Sequence, residues 1–296
     1  MKNTHLEHPE DMILTGDLSV LDALYDTSNE FSVKIDGSPA IVWGTNPETG
    51  QFFVGTKSVF NKKKIKINHD HEDIQRNHGH IPEVANILHM CLEYLPRTSS
   101  IIQGDFIGLG GKKVYKPNTI TYEFPEVITQ QIIIAPHTLY VSETTLKDAM
   151  VVDGEPEMFT TDDVYVVQPI VDKISVDAEP PPLNEDKIQF MDKKQAKYIK
   201  SSVNALIREG VELTDTILFD LFGCVYLVNL YQMVIEIKED LMDSLIVYGA
   251  PKAYIEGEDM EIDGEGYVIK NDYYGWFKLV RREEFSFANF TQGKFN

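Results

Sequence analysis

Residues 31–43 read Phe-Ser-Val-Lys-Ile-Asp-Gly-Ser-Pro-Ala-Ile-Val-Trp, and the strand pattern of the chain is clearest there. Both ends of this stretch are short β-favouring runs, and the Asp36-Gly37 pair between them is a turn signal. A second turn signal at residues 46–50 precedes another apolar run at residues 52–54. The pattern predicts a β-meander of three strands.

Outside this stretch, the chain continues with β-like runs and one helical pattern as far as residue 183. Apolar residues recur at helical intervals between residues 81 and 94. Three further runs are β-like, at residues 101–108, 128–141 and 164–171. We therefore expect residues 1–183 to form the first part of a strand-rich core.

The pattern changes after the proline-rich residues 179–182. Helical spacing dominates residues 184–250, which are amphipathic at first and more apolar later, and short strands return beyond them. The expected fold class is α+β. Twisted antiparallel sheets are expected in residues 1–183 and 251–296, with residues 184–250 as a helical insertion.

The composition is typical of a protein of the reducing cytoplasm. The hydrophobic fraction is 43%, and two cysteines are too few for a disulfide framework. The N-terminal residues lack the apolar segment of a signal peptide. Polar and charged residues interrupt the longest apolar stretch, residues 218–237, which favours a buried helix over a membrane span. We expect no membrane association.

The formal net charge of −20 argues against a surface that wraps duplex nucleic acid, because phosphate neutralisation supplies much of the affinity for a duplex. The charge is uneven, however. Two groups of lysines contain no acidic residue: Lys57, Lys62, Lys63, Lys64 and Lys66 in the first, and Lys112, Lys113 and Lys116 in the second. Each group is either an ordinary solvated face or a local rim that attracts phosphate, and the sequence leaves both readings open.

Lys34 stands just before the first turn signal, where a strand lysine can face a cleft. It can act as a nucleophile only after losing its proton. An unperturbed lysine has a pKa of about 10.4, and neighbouring cations, burial or a bound metal ion can lower that pKa. Taken alone, the pattern is better explained as a strand lysine beside an ordinary hairpin turn.

Four more motifs follow Lys34 in order along the chain, each on an expected strand or turn. They are Val54-Gly55-Thr56-Lys57-Ser58, Gln103-Gly104-Asp105-Phe106-Ile107-Gly108, Glu265-Gly266-Tyr267-Val268-Ile269-Lys270 and Trp276-Phe277-Lys278-Leu279-Val280. Five motifs in this order are hard to obtain by chance. The ordered set resembles the covalent nucleotidyltransferase superfamily of polynucleotide ligases and messenger-RNA capping enzymes, and most closely its RNA-ligase branch.

The resemblance covers residues from about 30 to 110 and from about 260 to 282. The superfamily's nucleophile motif, lysine-x-aspartate-glycine, matches Lys34 to Gly37, and its Glu-Gly-x-Val-x-Lys motif matches Glu265 to Lys270. Two positions depart from the common pattern. Asp105 stands where glutamate is commoner, and Val280 stands where many members have a second lysine.

The resemblance implies a ligase- or capping-enzyme-type core and a set of roles. Lys34 would attack the α-phosphorus of ATP and carry AMP as covalent lysyl-AMP, while Lys270 and Lys278 would neutralise the phosphates. The residues that would bind the nucleotide are Asp36, Gly37, Lys57, Asp105 and Glu265. The carboxylates of Glu265 and Asp36 would also hold Mg²⁺ or Mn²⁺, which prefer oxygen ligands.

The acceptor of the nucleotide is the open part of this expectation. The leading reading is an RNA ligase-like enzyme that passes AMP to the 5′-phosphate of RNA, or of DNA. The alternatives are a protein or small-molecule acceptor, which the net charge of −20 favours, and a non-catalytic binding protein on a ligase-like fold, which Val280 favours.

The size of the chain bears on the branch of the superfamily. Fifteen residues after Arg281 leave no room for the oligonucleotide-binding barrel of DNA ligases and capping enzymes, so a minimal ligase or a stand-alone nucleotidyltransferase is expected rather than a DNA ligase. The compact chain, with its reduced motif set and helical insertion, resembles uncharacterised bacteriophage members of the superfamily. That resemblance implies the cytoplasm of an infected host cell.

Overall fold

The computed structural model describes residues 6–152, 154–173, 180–255, 261–262 and 264–282. Within these residues the fold is α+β, as predicted, with four sheets and seven α-helices. The strands β1 to β15 are Glu30–Val33, Ala40–Thr45, Phe52–Gly55, Ile101–Leu109, Val114–Tyr115, Ile120–Glu123, Ile132–Val141, Met150–Val152, Val164–Val166, Ile170–Lys173, Leu245–Tyr248, Lys252–Ile255, Glu261–Ile262, Tyr267–Asn271 and Gly275–Leu279. The helices α1 to α7 are Pro9–Met12, Ser19–Tyr25, His71–His78, Pro82–Tyr94, Lys193–Arg208, Asp215–Phe222 and Val225–Asp243.

Two compact units divide the described residues. The first unit is drawn from residues 35–168 and 250–262, and the second from residues 6–34, 169–249 and 264–282. The three segments expected from the sequence were consecutive, at 1–183, 184–250 and 251–296. The observed division differs because each unit combines pieces that are distant along the chain.

The first unit is built on a six-stranded sheet with the order β3-β2-β4-β7-β8, in which β9 also pairs with β7. All its strand pairs are antiparallel except that of β7 with β9. Helices α3 and α4 pack on this sheet around Trp43, which is fully buried. A second sheet has the order β13-β12-β6-β5. The helix predicted at 81–94 and the strand predicted at 101–108 are confirmed as α4 and β4.

The predicted three-strand meander is wrong at its first strand. Strands β2 and β3 form a hairpin as expected, but β1 pairs with β14 instead of β2. Asp36 and Gly37 do not form a tight turn. The Ser38 amide donates to the Phe106 carbonyl oxygen at 2.9 Å, which holds the chain in an open path beside β4. The turn signal is local, whereas the partner of β1 lies near the other end of the chain.

The second unit combines a three-stranded antiparallel sheet, in the order β1-β14-β15, with a group of helices. Helices α5, α6 and α7 confirm the helical prediction for most of residues 184–250. Their apolar side chains share one core with Tyr267, Ile269 and Phe277 of the sheet. This shared core is the reason why the helical region and the last two strands belong to the same unit.

Helix α5 begins where the sequence supplies a cap. Asp192 accepts hydrogen bonds from the amides of Lys194 and Gln195, and the Gln195 side chain accepts one from the Asp192 amide at 3.0 Å. This capping box satisfies amides that the first helical turn leaves unpaired. The buried residues recur every three or four positions, which confirms the amphipathic pattern: Ala196, Ile199, Val203 and Ile207.

Helix α7 covers the second half of the apolar stretch that was expected to be buried. It is 19 residues long, and its buried side chains include Leu227, Tyr231 and Val234. Lys238, near its C-terminal end, is buried as well. Among the described residues, no helix is long and apolar enough to cross a membrane.

Candidate active site

The eight residues singled out from the sequence divide evenly between the two units. The second unit contains Lys34, Glu265, Lys270 and Lys278, and the first contains Asp36, Gly37, Lys57 and Asp105. The unit boundary falls directly after Lys34, within the Lys34-Ile35-Asp36-Gly37 motif.

The three-stranded sheet of the second unit has one apolar face and one face that carries lysines. Residues directly opposite each other on neighbouring strands share a face, as do residues two apart on one strand. Phe31, Ile269 and Phe277 form one row across the sheet and pack into the core of the unit. The alternate rows point to the other side, which we call the lysine face.

The register places three predicted lysines on the lysine face. Lys278 is directly opposite Val268 on β14, and Lys270 is two residues from Val268 on the same strand. The Lys34 amide donates to the Gly266 carbonyl oxygen at 2.8 Å, which extends the pairing of β1 with β14 by one residue. Because Gly266 is also two residues from Val268, Lys34 projects from the same side as the other two lysines.

The Lys34 side chain is paired with Glu265. Its ammonium group donates to the Glu265 carboxylate, and the two side chains are 30% and 15% exposed. Gly266, the next residue, has a φ of +128°, and a Cβ atom there would lie 2.1 Å from the Leu279 carbonyl oxygen. Glycine is therefore required beside β15, and the Glu-Gly pair brings a carboxylate to the end of β1.

Lys270 and Lys278 are the two further cations of the lysine face. Lys270 is buried, and its ammonium nitrogen lies 5.2 Å from the centre of the Trp276 ring, within range of a cation–π interaction. Burial lowers the pKa of Lys278, and the positive charges of Lys34 and Arg282 lower that pKa further. An anion bound on the lysine face would offset the repulsion among these cations.

In the first unit, Asp36 is held from two directions. Its amide donates to the Tyr122 hydroxyl oxygen at 2.9 Å, and its carboxylate accepts a hydrogen bond from the Asn118 side chain. The Asn118 side-chain oxygen accepts from the Ile120 amide at 2.8 Å, so both ends of the Asn118 amide group are fixed. Sequence reasoning missed Asn118 and Tyr122, which lie 82 and 86 residues from Asp36 along the chain.

Gly37 and Asp105 lie side by side. A Cβ atom on Gly37 would lie 2.5 Å from the Phe106 carbonyl oxygen and 3.1 Å from the Asp105 Cβ, so glycine permits a close approach to β4. The Asp105 Oδ1 atom also lies 3.7 Å from the His137 Nε2 atom. The sequence does not indicate this contact with His137. The first unit thus brings Asp36, Gly37 and Asp105 together.

Lys57 begins the short 3-10 helix Lys57–Phe60, which follows β3, and its side chain is exposed. Gly55 on β3 and Gln103 on β4 both lie opposite Val42 of β2, and Asp105 is two residues after Gln103 on β4. Strands β3 and β4 both pair antiparallel with β2 and so run in the same direction. The chain therefore leaves β3 at the end of the sheet that holds Asp105.

The two carboxylates expected from the sequence to ligate a divalent cation lie in different units, Asp36 in the first and Glu265 in the second. Among the described residues, no three His, Cys, Asp or Glu side chains form a group that could hold a metal ion. Mg²⁺ is usually bound by one or two carboxylates together with substrate phosphates and waters. Glu265 and Asp36 each supply one such carboxylate.

A buried ion-pair network joins α1 to α7 and to the residues after β15. Lys238 donates to Glu10 at 3.0 Å, Arg282 donates to Asp11 at 2.8 Å, and the four residues are at most 5% exposed. Lys238 also donates to the Val280 carbonyl oxygen at 3.1 Å. No sequence motif indicates this network, because its members come from three separate parts of the chain.

The fold and site define an α+β protein in which a candidate nucleophilic lysine is paired with a carboxylate beside two further lysines. The chain matches the model of a family of unknown function (DUF6267) over residues 3–222 and 220–294, and it belongs to that family. No curated protein and no solved structure matches the chain. The chemistry of the site is therefore the basis for assigning a function.

Proposed function

We propose that the protein is an ATP-dependent, RNA ligase-like nucleotidyltransferase that forms lysyl-AMP at Lys34 and passes AMP to a nucleic-acid 5′-phosphate. The proposal depends on one observation, the pairing of Lys34 with Glu265 on a sheet face that also bears Lys270 and Lys278. An amine nucleophile, a carboxylate and two further cations are the groups that nucleotidyl transfer needs. Under this proposal the core is of the ligase and capping-enzyme type.

In the first step, the neutral Lys34 amine attacks the α-phosphorus of ATP. A nitrogen–phosphorus bond forms, the bond between the α-phosphorus and the oxygen that bridges to the β-phosphate breaks, and pyrophosphate leaves with that electron pair. The attacking nitrogen releases a proton to solvent. Lys270 and Lys278 neutralise the charge that develops on the α-phosphate and on the leaving pyrophosphate.

Glu265 couples nucleotide arrival to the reactivity of Lys34. While it is paired with Lys34, its negative charge stabilises the charged and unreactive form of the lysine. Glu265 would be able to hold Mg²⁺ or Mn²⁺, and the cation would supply charge neutralisation at the triphosphate and compete with Lys34 for the Glu265 carboxylate.

The four residues of the first unit are assigned to nucleotide binding. Asp105 can accept hydrogen bonds from ribose hydroxyl groups, and the exposed Lys57 can contact a phosphate. Gly37 leaves space for the nucleotide to approach the backbone. Asp36, oriented by Asn118, offers a carboxylate of the kind that ligates a divalent cation.

In the second step, an oxygen atom of the 5′-phosphate of a nucleic-acid strand attacks the phosphorus of lysyl-AMP. A phosphorus–oxygen bond forms and the phosphorus–nitrogen bond breaks. The Lys34 nitrogen takes up a proton and becomes the neutral amine again, and the strand leaves with an adenylated 5′ end.

Labelling with ATP tests the first step. We expect wild-type protein, incubated with ATP labelled at the α-phosphorus and with Mg²⁺ or Mn²⁺, to acquire label that survives denaturing electrophoresis. Lys34→Ala should abolish the label. Lys173→Ala, which removes another partly buried lysine of the second unit, should retain it. Absence of label on the wild type with every one of the four nucleotides would refute the proposal.

A chase identifies the acceptor. Label that moves from the protein to 5′-phosphorylated RNA or DNA supports the second step. If label moves only to a protein or a small molecule, Lys34 still forms lysyl-AMP, but the acceptor is not a nucleic acid. The net charge of −20 is the observation that favours this second outcome.

A further inference from the structure

The lysines of residues 57–66 are an exception to the overall charge of the chain. We call these residues the lysine segment. It contains five lysines and no acidic residue, in a chain whose formal net charge is −20. Lys57, Lys62, Lys63 and Lys64 are exposed. Such a concentration attracts polyanions locally while the rest of the chain repels them.

The lysine segment has a defined backbone rather than the freedom of a charged tail. Val59 is fully buried and anchors one end of the segment in a small apolar cluster. The Asn61 side chain donates to the Lys64 carbonyl oxygen at 3.2 Å, which closes a turn around the adjacent lysines. At the other end, the Lys66 ammonium group donates to the Asn77 carbonyl oxygen at 2.7 Å.

The contacts of the segment favour phosphate groups over bases. Phe60 is the only aromatic residue among residues 57–66, and its ring packs on Tyr140 with 4.7 Å between ring centres. The exposed charged groups of the segment are ammonium groups, which bind phosphates and carry little sequence information. A short segment of this kind can neutralise a few phosphates of a single strand, which suits a chain too acidic to wrap a duplex.

We infer that the lysine segment binds the phosphate backbone of a single-stranded nucleic acid, without reading its bases. The choice of nucleic acid among polyanions rests on the proposed function, in which a strand with a 5′-phosphate accepts AMP. The segment then holds the acceptor strand, and the formation of lysyl-AMP from ATP alone does not require Lys62, Lys63 or Lys64.

Salt dependence of strand binding tests this inference. The probe is a 5′-phosphorylated single-stranded oligonucleotide of mixed sequence, and the variant is Lys62→Gln/Lys63→Gln/Lys64→Gln. Loss of three phosphate contacts should reduce the slope of log K against log salt by about 2. Between about 50 and 200 mM salt, the wild type should then lose roughly 20-fold more affinity than the variant.

A matched variant controls for the general loss of charge. Lys193→Gln/Lys194→Gln/Lys197→Gln removes three exposed lysines of α5, in the second unit, and should leave the slope as in wild type. Thermal unfolding should show that both triple variants remain folded, because all six side chains are exposed. A slope that is the same for wild type and the lysine-segment variant, or equally reduced in the control, would overturn the inference.

The label on Lys34 separates this inference from the proposed function. If labelling is normal and the salt slope of the lysine-segment variant equals that of wild type, the lysine segment is excluded as a binding surface. The chemistry proposed for Lys34 is then unaffected. If no label is acquired but the salt slope of the lysine-segment variant is reduced, the binding surface is supported and the proposed reaction is excluded. Wild-type protein that does not bind the oligonucleotide at low salt contradicts the inference directly.

Discussion

Lys34 and Lys278 need opposite protonation states in the proposed reaction. Lys34 attacks only as a neutral amine, whereas Lys278 neutralises phosphate only as an ammonium ion. Burial lowers the pKa of Lys278, with the charges of Lys34 and Arg282 adding to the effect. A lysine is charged below its pKa, so Lys278 loses its charge at a lower pH than an ordinary lysine does.

The first prediction concerns the pH dependence of labelling. As pH rises through the lowered pKa of Lys278, the rate of Lys34 labelling should fall. Lys278→Arg should move this fall to higher pH, because a guanidinium group remains protonated. The measurement is the initial labelling rate against pH. Lys173→Arg is the control, since burial also lowers the pKa of Lys173, which lies on another strand. An alkaline fall at the same pH in Lys278→Arg and wild type would contradict the assigned role.

The second prediction concerns the hydrogen bond from Asn118 to Asp36. Asn118→Ala removes the donor that orients the carboxylate, and a hydrogen bond to a charged group contributes about 1.5–3 kcal/mol. We expect the Mg²⁺ or Mn²⁺ concentration for half-maximal labelling to rise on the order of tenfold. Asn86→Ala, which removes an exposed asparagine of α4 in the same unit, should leave it unchanged. Equal metal requirements in all three proteins would exclude Asn118 as a positioning residue.

At the residue scale, the sequence identified side chains with chemical character but not their partners. Lys34, Asp105 and Lys278 could be singled out because their types recur in ordered motifs. Asn118, Tyr122 and His137 could not, because an ordinary asparagine, tyrosine or histidine becomes relevant only through a contact made over many residues.

Two glycines of the β14–β15 hairpin allow the cost of an unfavourable φ to be compared with the cost of a steric clash. At Gly266, φ is +128° and a Cβ atom would lie 2.1 Å from the Leu279 carbonyl oxygen. At Gly275, in the same hairpin, φ is +88° but a Cβ atom would meet nothing within 4 Å. Both substitutions by alanine strain the backbone, and only the first also forces two backbones apart.

The third prediction follows from this difference. Gly275→Ala should cost about 1 kcal/mol in the free energy of unfolding, from the unfavourable φ alone. Gly266→Ala should cost at least about 2 kcal/mol more, because β15 must shift to admit the methyl group. Urea unfolding of the two variants measures both costs. Equal destabilisation would show that the close approach to Leu279 is not important.

At the element scale, the residue pattern within a segment predicted whether it forms a helix or a strand. It did not predict which strands pair with each other. The spacing of apolar residues gave α4 and α5, and alternating or apolar runs gave β2, β3 and β4. The partner of β1 was missed because Asp36-Gly37 suggests a hairpin locally, while the actual pairing with β14 is decided by burial of Phe31 beside Ile269.

The network of Glu10, Asp11, Lys238 and Arg282 determines how distant parts of the second unit hold together. Burying charges is costly unless they are paired, and removal of one partner leaves an uncompensated charge. Burial raises the pKa of Asp11, which the positive charge of Arg282 opposes. Arg282 is thus the group that keeps a buried carboxylate compatible with the core.

The fourth prediction compares two adjacent arginines. Arg282→Met should cost about 3–5 kcal/mol in the free energy of unfolding. Arg281→Met should cost about 1 kcal/mol or less, because the carboxylate of its partner Asp243 is mostly exposed. The Arg282→Met deficit should shrink as pH falls, since protonated Asp11 no longer needs a cation. Denaturant unfolding at two pH values tests this, and equal costs for the two arginines would contradict it.

At the scale of the whole molecule, the fold class and the helical region could be predicted from the sequence, but the two units could not. Composition breaks mark places where the local pattern changes, such as residues 179–182. Units are defined by shared cores, and the core that joins α5, α6 and α7 to β14 and β15 leaves no mark on any single segment.

The pairing of β1 with β14 has a consequence for the protein as it is being made. Lys34 and Glu265 are 231 residues apart along the chain, and the lysine face also needs β15, which ends at Leu279. At about 5–20 residues per second, a ribosome needs on the order of 10–50 seconds to synthesise the chain from Lys34, the first lysine of this face, to Lys278, the last. During that interval the nascent chain carries the candidate nucleophile without its carboxylate or its neighbouring cations. Prematurely terminated chains therefore lack the arrangement proposed to capture a nucleotide.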